Sequence, residues 1–231
     1  MDLCSSDQNC QQTYPFDQRT ERGPSDFDVT HSFTSYVLYD LPFFRTSHDW
    51  KGKLVGGWQL NGILTLTSGF PWTPVSDSGT SCAQSTNKGS ICPLRPVAYL
   101  GGAGTDMSTD HLRDVGNFPG GGLKYFTPPV APPGGYTIPP FPGVGRNSFR
   151  GPRYTGIDMS IAKRFGLPKA WVIGEGAGID LRANLFNVFN KLNLAPFGFH
   201  SDSTTIERPL FGRATGALGG RVVEFQARFS F

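Results

Sequence analysis

The sequence predicts an all-β chain, a partial transmembrane antiparallel β-barrel of about five strands, arranged as two hairpins and a terminal strand, with long extracellular loops. Three observations predict this class. The last eleven residues alternate strictly between apolar and polar side chains, four earlier stretches alternate in the same way, and the connections between these stretches are short and long by turns.

The terminal strand carries the clearest pattern. One side of an extended chain would hold Val223, Phe225, Ala227, Phe229 and Phe231, and the other Glu224, Gln226, Arg228 and Ser230. A helix would scatter these rings, because residues i and i+2 lie about 200° apart around its axis. Eleven extended residues are long enough to cross the apolar band of a membrane, about 25 Å. Strands of soluble sandwiches alternate as well, but they are usually about five or six residues long.

The composition joins two opposing features. The 231 residues include 30 Gly and 19 Pro, which favour irregular structure, but also 19 Phe, which disordered chains lack. Long irregular loops that connect aromatic-rich strands reconcile the two. The net charge of +3, with no cluster of Lys and Arg, gives no reason to expect a nucleic-acid partner.

No run of about 18 apolar residues exists, so the sequence excludes a transmembrane helix. The chain begins without the basic and apolar segments of a signal peptide, which indicates either a cytoplasmic protein or a sequence that starts inside a longer one.

The four cysteines, Cys4, Cys10, Cys82 and Cys92, contain no CxxC pair and suggest no zinc site. Their even number in polar stretches favours two local disulfides and an oxidising compartment. A loop disulfide between Cys82 and Cys92 would stabilise the chain by about 2–3 kcal/mol. Four unpaired thiols are the alternative.

The first hairpin follows an exposed polar loop, residues 1–26. Alternation begins at residue 27 and continues to residue 41, where Pro42 ends the strand. The second strand covers residues 58–67, in which Ile63 alone breaks the alternation. The predicted membrane-spanning portion therefore runs from residue 27 to the carboxyl terminus.

Residues 69–150 read as one long loop rich in Gly and Pro. Proline removes backbone donors and fixes φ, so strands are not expected across the middle of this stretch. A structureless segment of this length counts against a compact soluble domain. Transmembrane barrels, by contrast, carry long loops on one side of the membrane and short turns on the other.

The second hairpin has its third strand around Ile157, Met159 and Ile161, closing at Phe165 and Gly166. A connection over residues 166–177 leads to a fourth strand of alternating apolar and polar residues. Charged residues opposite lipid-facing leucines make sense where the interior holds water, whereas in a sandwich they would face solvent. The polar candidates for the lumen are Asp180, Arg182, Glu224 and Arg228.

With its strands placed, the sequence resembles the carboxyl-terminal barrel segment of TonB-dependent outer-membrane receptors, specifically the Oar-like group. The resemblance covers most of residues 26–231, and it depends on five stretches in family order rather than on one specific motif. These stretches are Asp28-Val29-Thr30-His31-Ser32-Phe33 through Phe43, Gly57-Trp58-Gln59-Leu60-Asn61-Gly62 through Thr73, Gly145-Arg146-Asn147-Ser148, Arg182-Ala183-Asn184-Leu185-Phe186-Asn187-Val188-Phe189-Asn190, and Phe211-Gly212-Arg213 through Phe231.

The resemblance implies location in the cell outer membrane and contact with its lipid. The family's barrel has about 22 strands around an amino-terminal plug, whereas the smallest barrels close with about eight. We therefore expect a carboxyl-terminal fragment whose partners are the rest of a larger barrel and its plug. The residues Phe225, Phe229 and Phe231 match the family's carboxyl-terminal signature, which the outer-membrane assembly machinery reads. A simple lipid-facing ring is the alternative for Phe231.

The sequence contains no GxSxG, Walker, HExxH or complete GxGxxG motif, and its four histidines are scattered without the spacing of metal ligands. We therefore expect neither an enzyme nor a bound cofactor or metal. The resemblance implies a receptor or transporter whose intact form binds and imports a solute. The alternative is a secreted or surface-exposed β-domain for adhesion or carbohydrate binding, with aromatic loop residues such as Phe70 and Trp72 as contacts.

Overall fold

The computed structural model describes residues 17–43, 50–77, 94–101, 122–130, 143–167, 177–198 and 201–231. These residues are all-β apart from one 3-10 turn, Gln18–Glu21, and one short helix, α1 (Trp50–Val55). The strands are β1 (Ser32–Asp40), β2 (Trp58–Thr67), β3 (Pro71–Trp72), β4 (Ala98–Tyr99), β5 (Phe126–Thr127), β6 (Phe149–Arg150), β7 (Tyr154–Gly166), β8 (Gly178–Phe186) and β9 (Val222–Ser230). Within the described ranges, no helix is long and apolar enough to cross a membrane.

Five long strands form one sheet in the order β1-β2-β7-β8-β9, and every neighbouring pair is antiparallel. This confirms the predicted partial antiparallel barrel. The sheet is not closed, because β1 and β9 are its two edges. One row of paired residues crosses all five strands and consists of Tyr39, Leu60, Ile161, Ala183 and Phe225.

The strand ends are staggered relative to this row. Toward the end of the sheet with the short connections, β1 continues one residue beyond Tyr39, to Asp40. In the same direction β9 continues five residues beyond Phe225, to Ser230. The ends therefore shift by four residues across four strand pairs, from one edge of the sheet to the other.

The strand boundaries agree with the sequence prediction to different degrees. The predicted range 58–67 is the range of β2. By contrast, β1 begins at Ser32 rather than at residue 27, because residues 25–28 form a turn in which the Asp28 N–H donates to the Ser25 carbonyl at 2.9 Å. The third strand starts earlier than its apolar residues indicated, at Tyr154.

Contacts divide the chain into two compact units. The loop unit comprises Met1–Thr30, Ser68–Arg153 and Asn193–Leu218, and the sheet unit comprises His31–Thr67, Tyr154–Leu192 and Gly219–Phe231. The loop unit contains the two-residue pairings of β3 with β6 and of β4 with β5. Both units draw on several separate segments of the chain.

A buried aromatic cluster forms the centre of the loop unit. The Trp72 ring lies 5.4 Å from the Phe149 ring and 5.8 Å from the Phe211 ring, and Phe126 lies 5.6 Å from Phe211, mostly in edge-to-face contact. The cluster consists of Trp72, Phe126, Val144, Phe149, Ile206 and Phe211. Sequence reasoning treated most of this region as loop and missed the core, because its members come from distant segments without a shared period.

Candidate functional site

The pairing register assigns every residue of the five-stranded sheet to one of two faces, because directly opposite residues in antiparallel strands point the same way. One face is apolar on all five strands. We call it the apolar face, and its central members are Phe33, Val37, Leu60, Leu64, Ile157, Ile161, Ile179, Leu185, Val223, Phe225 and Phe229.

Over much of its area, the apolar face is left uncovered by the residues that the structure describes. Phe225 is 85% exposed, Val37 61% and Phe33 55%. A soluble sandwich would bury such a face against a second sheet. The exposed apolar face instead suits contact with hydrocarbon, as the alternation predicted.

The opposite side, which we call the polar face, brings the four sequence-predicted candidates together. Asp180 lies directly opposite Arg228, Arg182 opposite Gln226, and Asn184 opposite Glu224. By this register, Asp180, Arg182, Glu224 and Arg228 lie on one face of two neighbouring strands. Their orientation toward a lumen stays a prediction.

Contacts between side chains on the polar face are partly exposed. The Arg164 Nε lies 3.9 Å from the Asp180 Oδ1, with the two side chains 60% and 41% exposed. Gln59 Nε2 donates to Asp40 Oδ1 at 3.1 Å. Within the described residues, Arg182 and Arg228 form no ion pair. These residues border an open depression of about 490 Å³, so water and small solutes can reach the charges.

Of the carboxyl-terminal aromatic residues, Phe229 and Phe231 lie at the short-connection end of the sheet, while Phe225 lies in the middle part of β9. Phe225 and Phe229 belong to the apolar face, and the Phe231 ring stacks on the Phe229 ring at 5.7 Å and 27°. Phe231 is 91% exposed. An exposed terminal ring is accessible to a partner, but recognition by the assembly machinery stays a prediction.

Sequence reasoning missed Lys163. The register places it on the apolar face, opposite Trp58 on β2 and Leu181 on β8. The signal was available, since the row of Ile157, Met159 and Ile161 continues to residue 163 at the same two-residue spacing. Its side chain is nevertheless buried, at 5% exposure.

The loop unit has a polar network of its own around Asn147, a residue of the predicted family stretch at 145–148. Asn147 adopts a positive φ of 54°. Its backbone N–H donates to the Thr73 hydroxyl at 2.8 Å, and its amide donates to the Pro24 carbonyl and to Asp26 Oδ1 at 2.8 and 2.6 Å. Asn tolerates the left-handed region better than most residues, so its presence at this bend has a physical reason.

Two arginines reinforce the same unit. Arg150 Nη2 binds Asp28 Oδ2 at 2.5 Å, and Arg95 Nη2 binds Glu21 Oε1 at 2.9 Å. Arg95 is only 3% exposed. Its burial lowers the pKa of the guanidinium, and the Glu21 carboxylate opposes that shift.

The described residues contain no group of three or more His, Cys, Asp or Glu side chains that could hold a metal. The candidate disulfide residues Cys82 and Cys92 lie outside the residues that the structure describes.

The geometry agrees with the comparison to known families. The model of the family described as outer membrane beta barrel domain matches residues 2–224. No curated protein and no solved structure matches the chain. The match covers nearly all of the sequence, including four of the five long strands and the start of the last. The chain therefore belongs to the outer membrane β-barrel domain family and is a protein of the outer membrane.

Proposed function

We propose that this chain is the carboxyl-terminal part of the barrel of a TonB-dependent receptor, and that its intact form binds a solute and imports it across the outer membrane. The main supporting observation is the pair of opposite faces on one sheet. Asp180, Arg182, Glu224 and Arg228 lie on one face of the sheet, and the opposite, apolar face is exposed over much of its area. In our proposal the polar face lines a water-filled path through the membrane.

The connections support an orientation in the membrane. The two hairpin connections leave one end of the sheet, with 17 residues between β1 and β2 and 11 between β7 and β8. The much longer connections, β2 to β7 and β8 to β9, leave the opposite end. Barrels of the outer membrane keep short turns in the periplasm and long loops outside. We therefore place Asp180 and Arg228 near the periplasmic end of the path.

The directions of the two edge strands support a larger barrel of which this sheet is one part. Both edge strands, β1 and β9, run from the long-connection end to the short-connection end. Joining β9 of one copy to β1 of another would create a parallel seam in an antiparallel barrel. Pairing two identical edges antiparallel would invert one copy in the membrane. An odd number of further strands between β9 and β1 avoids both problems, and a longer chain supplies them most simply.

The assignment to TonB-dependent receptors depends on the sequence resemblance. The structure explains why one of the resembling stretches contains two asparagines. In the stretch that ends β8, Asn187 and Asn190 have positive φ values of 50° and 51°. The Asn187 N–H donates to Asp158 Oδ1 at 2.8 Å, and Asn190 Oδ1 accepts from the Arg221 N–H at 3.0 Å. Both asparagines thus fix the turn that begins the second long connection.

A secreted adhesion or carbohydrate-binding domain fits less well. Such a domain would bury its apolar rows inside the protein, whereas Val37 and Phe225 are mostly exposed.

The size of the protein in its membrane tests the proposal first. An antibody against this chain should detect, in outer-membrane fractions, a heat-modifiable band well above the 25.1 kDa of this sequence. Formaldehyde treatment of cells should cross-link that band to TonB. A band of about the size of this chain alone, or a large band that never cross-links to TonB while a known receptor in the same cells does, would overturn the proposal.

Thiol labelling tests the wet path separately. In outer-membrane vesicles, a membrane-impermeant maleimide should label Gln226→Cys and Asn184→Cys but not their neighbours Ala227→Cys and Leu185→Cys, which lie on the apolar face. The unsubstituted protein gives the background from native cysteines. Equal labelling of neighbouring positions would contradict a polar face that meets water and an apolar face that meets lipid.

A further inference from the structure

Lys163 is a charged residue on the face that meets lipid. Its neighbours across the strands are Trp58 and Leu181, and its side chain is 5% exposed. An unpaired Lys on the lipid side of a barrel costs about 2–4 kcal/mol at the middle of the bilayer and less near its surface. Lys163 lies three residues before the end of β7, at the short-connection end of the sheet. The contacts of the Lys163 side chain explain how the charge is tolerated at this position.

The partners of Lys163 come from the preceding hairpin. Its Nζ donates to the Leu54 carbonyl at 2.8 Å and to the Gly56 carbonyl at 2.5 Å, at the carboxyl-terminal end of α1. The last carbonyls of a helix lack partners within the helix and carry partial negative charge, so an ammonium group satisfies them well. Trp58 Nε1 also donates to the Leu54 carbonyl, at 3.0 Å.

Aromatic rings complete this site. The Lys163 Nζ lies 4.7 Å from the centre of the Phe165 ring and 5.5 Å from the centre of the Trp58 ring. Both rings belong to the apolar face by register. A desolvated ammonium group gains from such contacts. The end of α1 is consequently held against the apolar face, on the side away from the polar face.

This position exposes two further apolar side chains beside the lipid-facing rows. Leu54 is 54% exposed and Val55 48%. On a soluble protein such residues would face water. Because the Leu54 carbonyl bonds to Lys163 and Trp58, which both belong to the apolar face, these residues lie beside that face at its short-connection end, where the surface of the bilayer would lie.

We propose that α1 is a membrane-interface element, held on the outer wall of the barrel by Lys163, and that its partner is the phospholipid leaflet at the short-connection end. Leu54 and Val55 enter the boundary between headgroups and acyl chains, and Lys163 neutralises the helix end that would otherwise present bare carbonyls to hydrocarbon. The argument for lipid as the occupant is continuity with the apolar face of an outer-membrane barrel. It does not depend on solute import.

Nitroxide labels measure this directly. The intact protein, purified from outer membranes, is labelled at Leu54→Cys and reconstituted into phosphatidylethanolamine and phosphatidylglycerol vesicles. Asp40→Cys, on the polar face at the same end of the sheet, is the matched control. We expect the ratio of oxygen to nickel-chelate collision rates to exceed one at position 54 and to fall below one at position 40. A ratio at position 54 as low as at position 40 would overturn the proposal, and would indicate that a soluble partner or only water meets α1.

Lys163 variants test the role of the lysine. In Lys163→Met the label at position 54 should become accessible to the nickel chelate, whereas Lys163→Arg, which keeps a cationic donor, should preserve the lipid signal. An unchanged lipid signal in Lys163→Met would remove Lys163 from the proposal. If Lys163→Met fails to give a heat-modifiable barrel, the labels in the Lys163 protein still decide whether α1 meets lipid.

Discussion

The sheet unit and the loop unit of this chain use opposite ways of placing apolar side chains. Of the ten buried hydrophobic residues in the described part of the chain, only Ala177 belongs to the sheet unit. The other nine belong to the loop unit, whose described strands have two residues each. The loop unit thus has an interior like that of a soluble domain, whereas the hydrophobic environment of the sheet is the lipid outside it.

One charged pair from each unit shows a similar contrast in burial. In the loop unit, Arg95 is 3% exposed and meets Glu21 at 2.9 Å. On the polar face of the sheet, Arg164 and Asp180 are 3.9 Å apart, and their side chains are 60% and 41% exposed. The buried Arg95 therefore depends on Glu21 to offset the cost of its desolvation, while the exposed pair on the sheet contributes little to stability.

The largest expected effect is in the aromatic core of the loop unit. Phe211 is fully buried, so Phe211→Ala should destabilise this unit by about 3–5 kcal/mol. Phe70→Ala in the same unit, at a residue 40% exposed, is the control and should cost much less. Limited proteolysis of intact cells reports local opening of the unit. Equal cleavage of the two variants would remove the distinction between a packed unit and plain loops.

A change on the lipid side of the sheet should come next. Leu64→Arg places a charge near the middle of β2 on the apolar face and should cost about 2–4 kcal/mol. Thr65→Arg, one residue along and on the polar face, should change stability little. Urea unfolding of the protein in vesicles, followed by loss of heat modifiability, compares the two. A larger loss for Thr65→Arg would mean that the faces are assigned the wrong way round.

The smallest effect should follow loss of a carboxylate on the polar face. Asp180→Asn removes one charged partner of Arg164 and should cost less than about 1 kcal/mol, since the pair is 3.9 Å apart and both side chains are exposed. Glu21→Gln, a matched change opposite the buried Arg95, should cost about 1–3 kcal/mol. The same urea titration measures the first variant, and proteolysis of the loop unit measures the second. A cost for Asp180→Asn above that of Glu21→Gln would show that the polar face is not wet.

The long strands were predictable because every second residue of a strand faces the same environment. Water on one side and lipid on the other give a period of two, and residues 58–67 were placed correctly on that basis alone. The pattern fails where a local bond overrides it. The alternation that seemed to start at residue 27 is interrupted by the turn in which Asp28 bonds to Ser25.

The aromatic core of the loop unit and the contacts of Lys163 could not be predicted from periodicity. Trp72, Phe126 and Phe211 meet only after the chain has folded, and no local pattern links residues that far apart. Lys163 shows a different limit. Its place on the apolar face follows from simple counting, but its contacts with α1 depend on the path of the preceding hairpin.

The stagger of the strand ends indicates how far the strands tilt from the axis of a barrel. A shift of four residues over four strand pairs averages one residue per pair, about 3.3 Å along the strand for each 4.8 Å across the sheet. This shear corresponds to strands leaning about 35° from the axis of a closed cylinder. At that lean a nine-residue strand such as β8 or β9 rises about 24 Å, close to the height of the hydrocarbon layer. The strand lengths and the shear thus match the thickness of one bilayer. A larger tilt from the barrel axis would leave β8 and β9 too short to cross it.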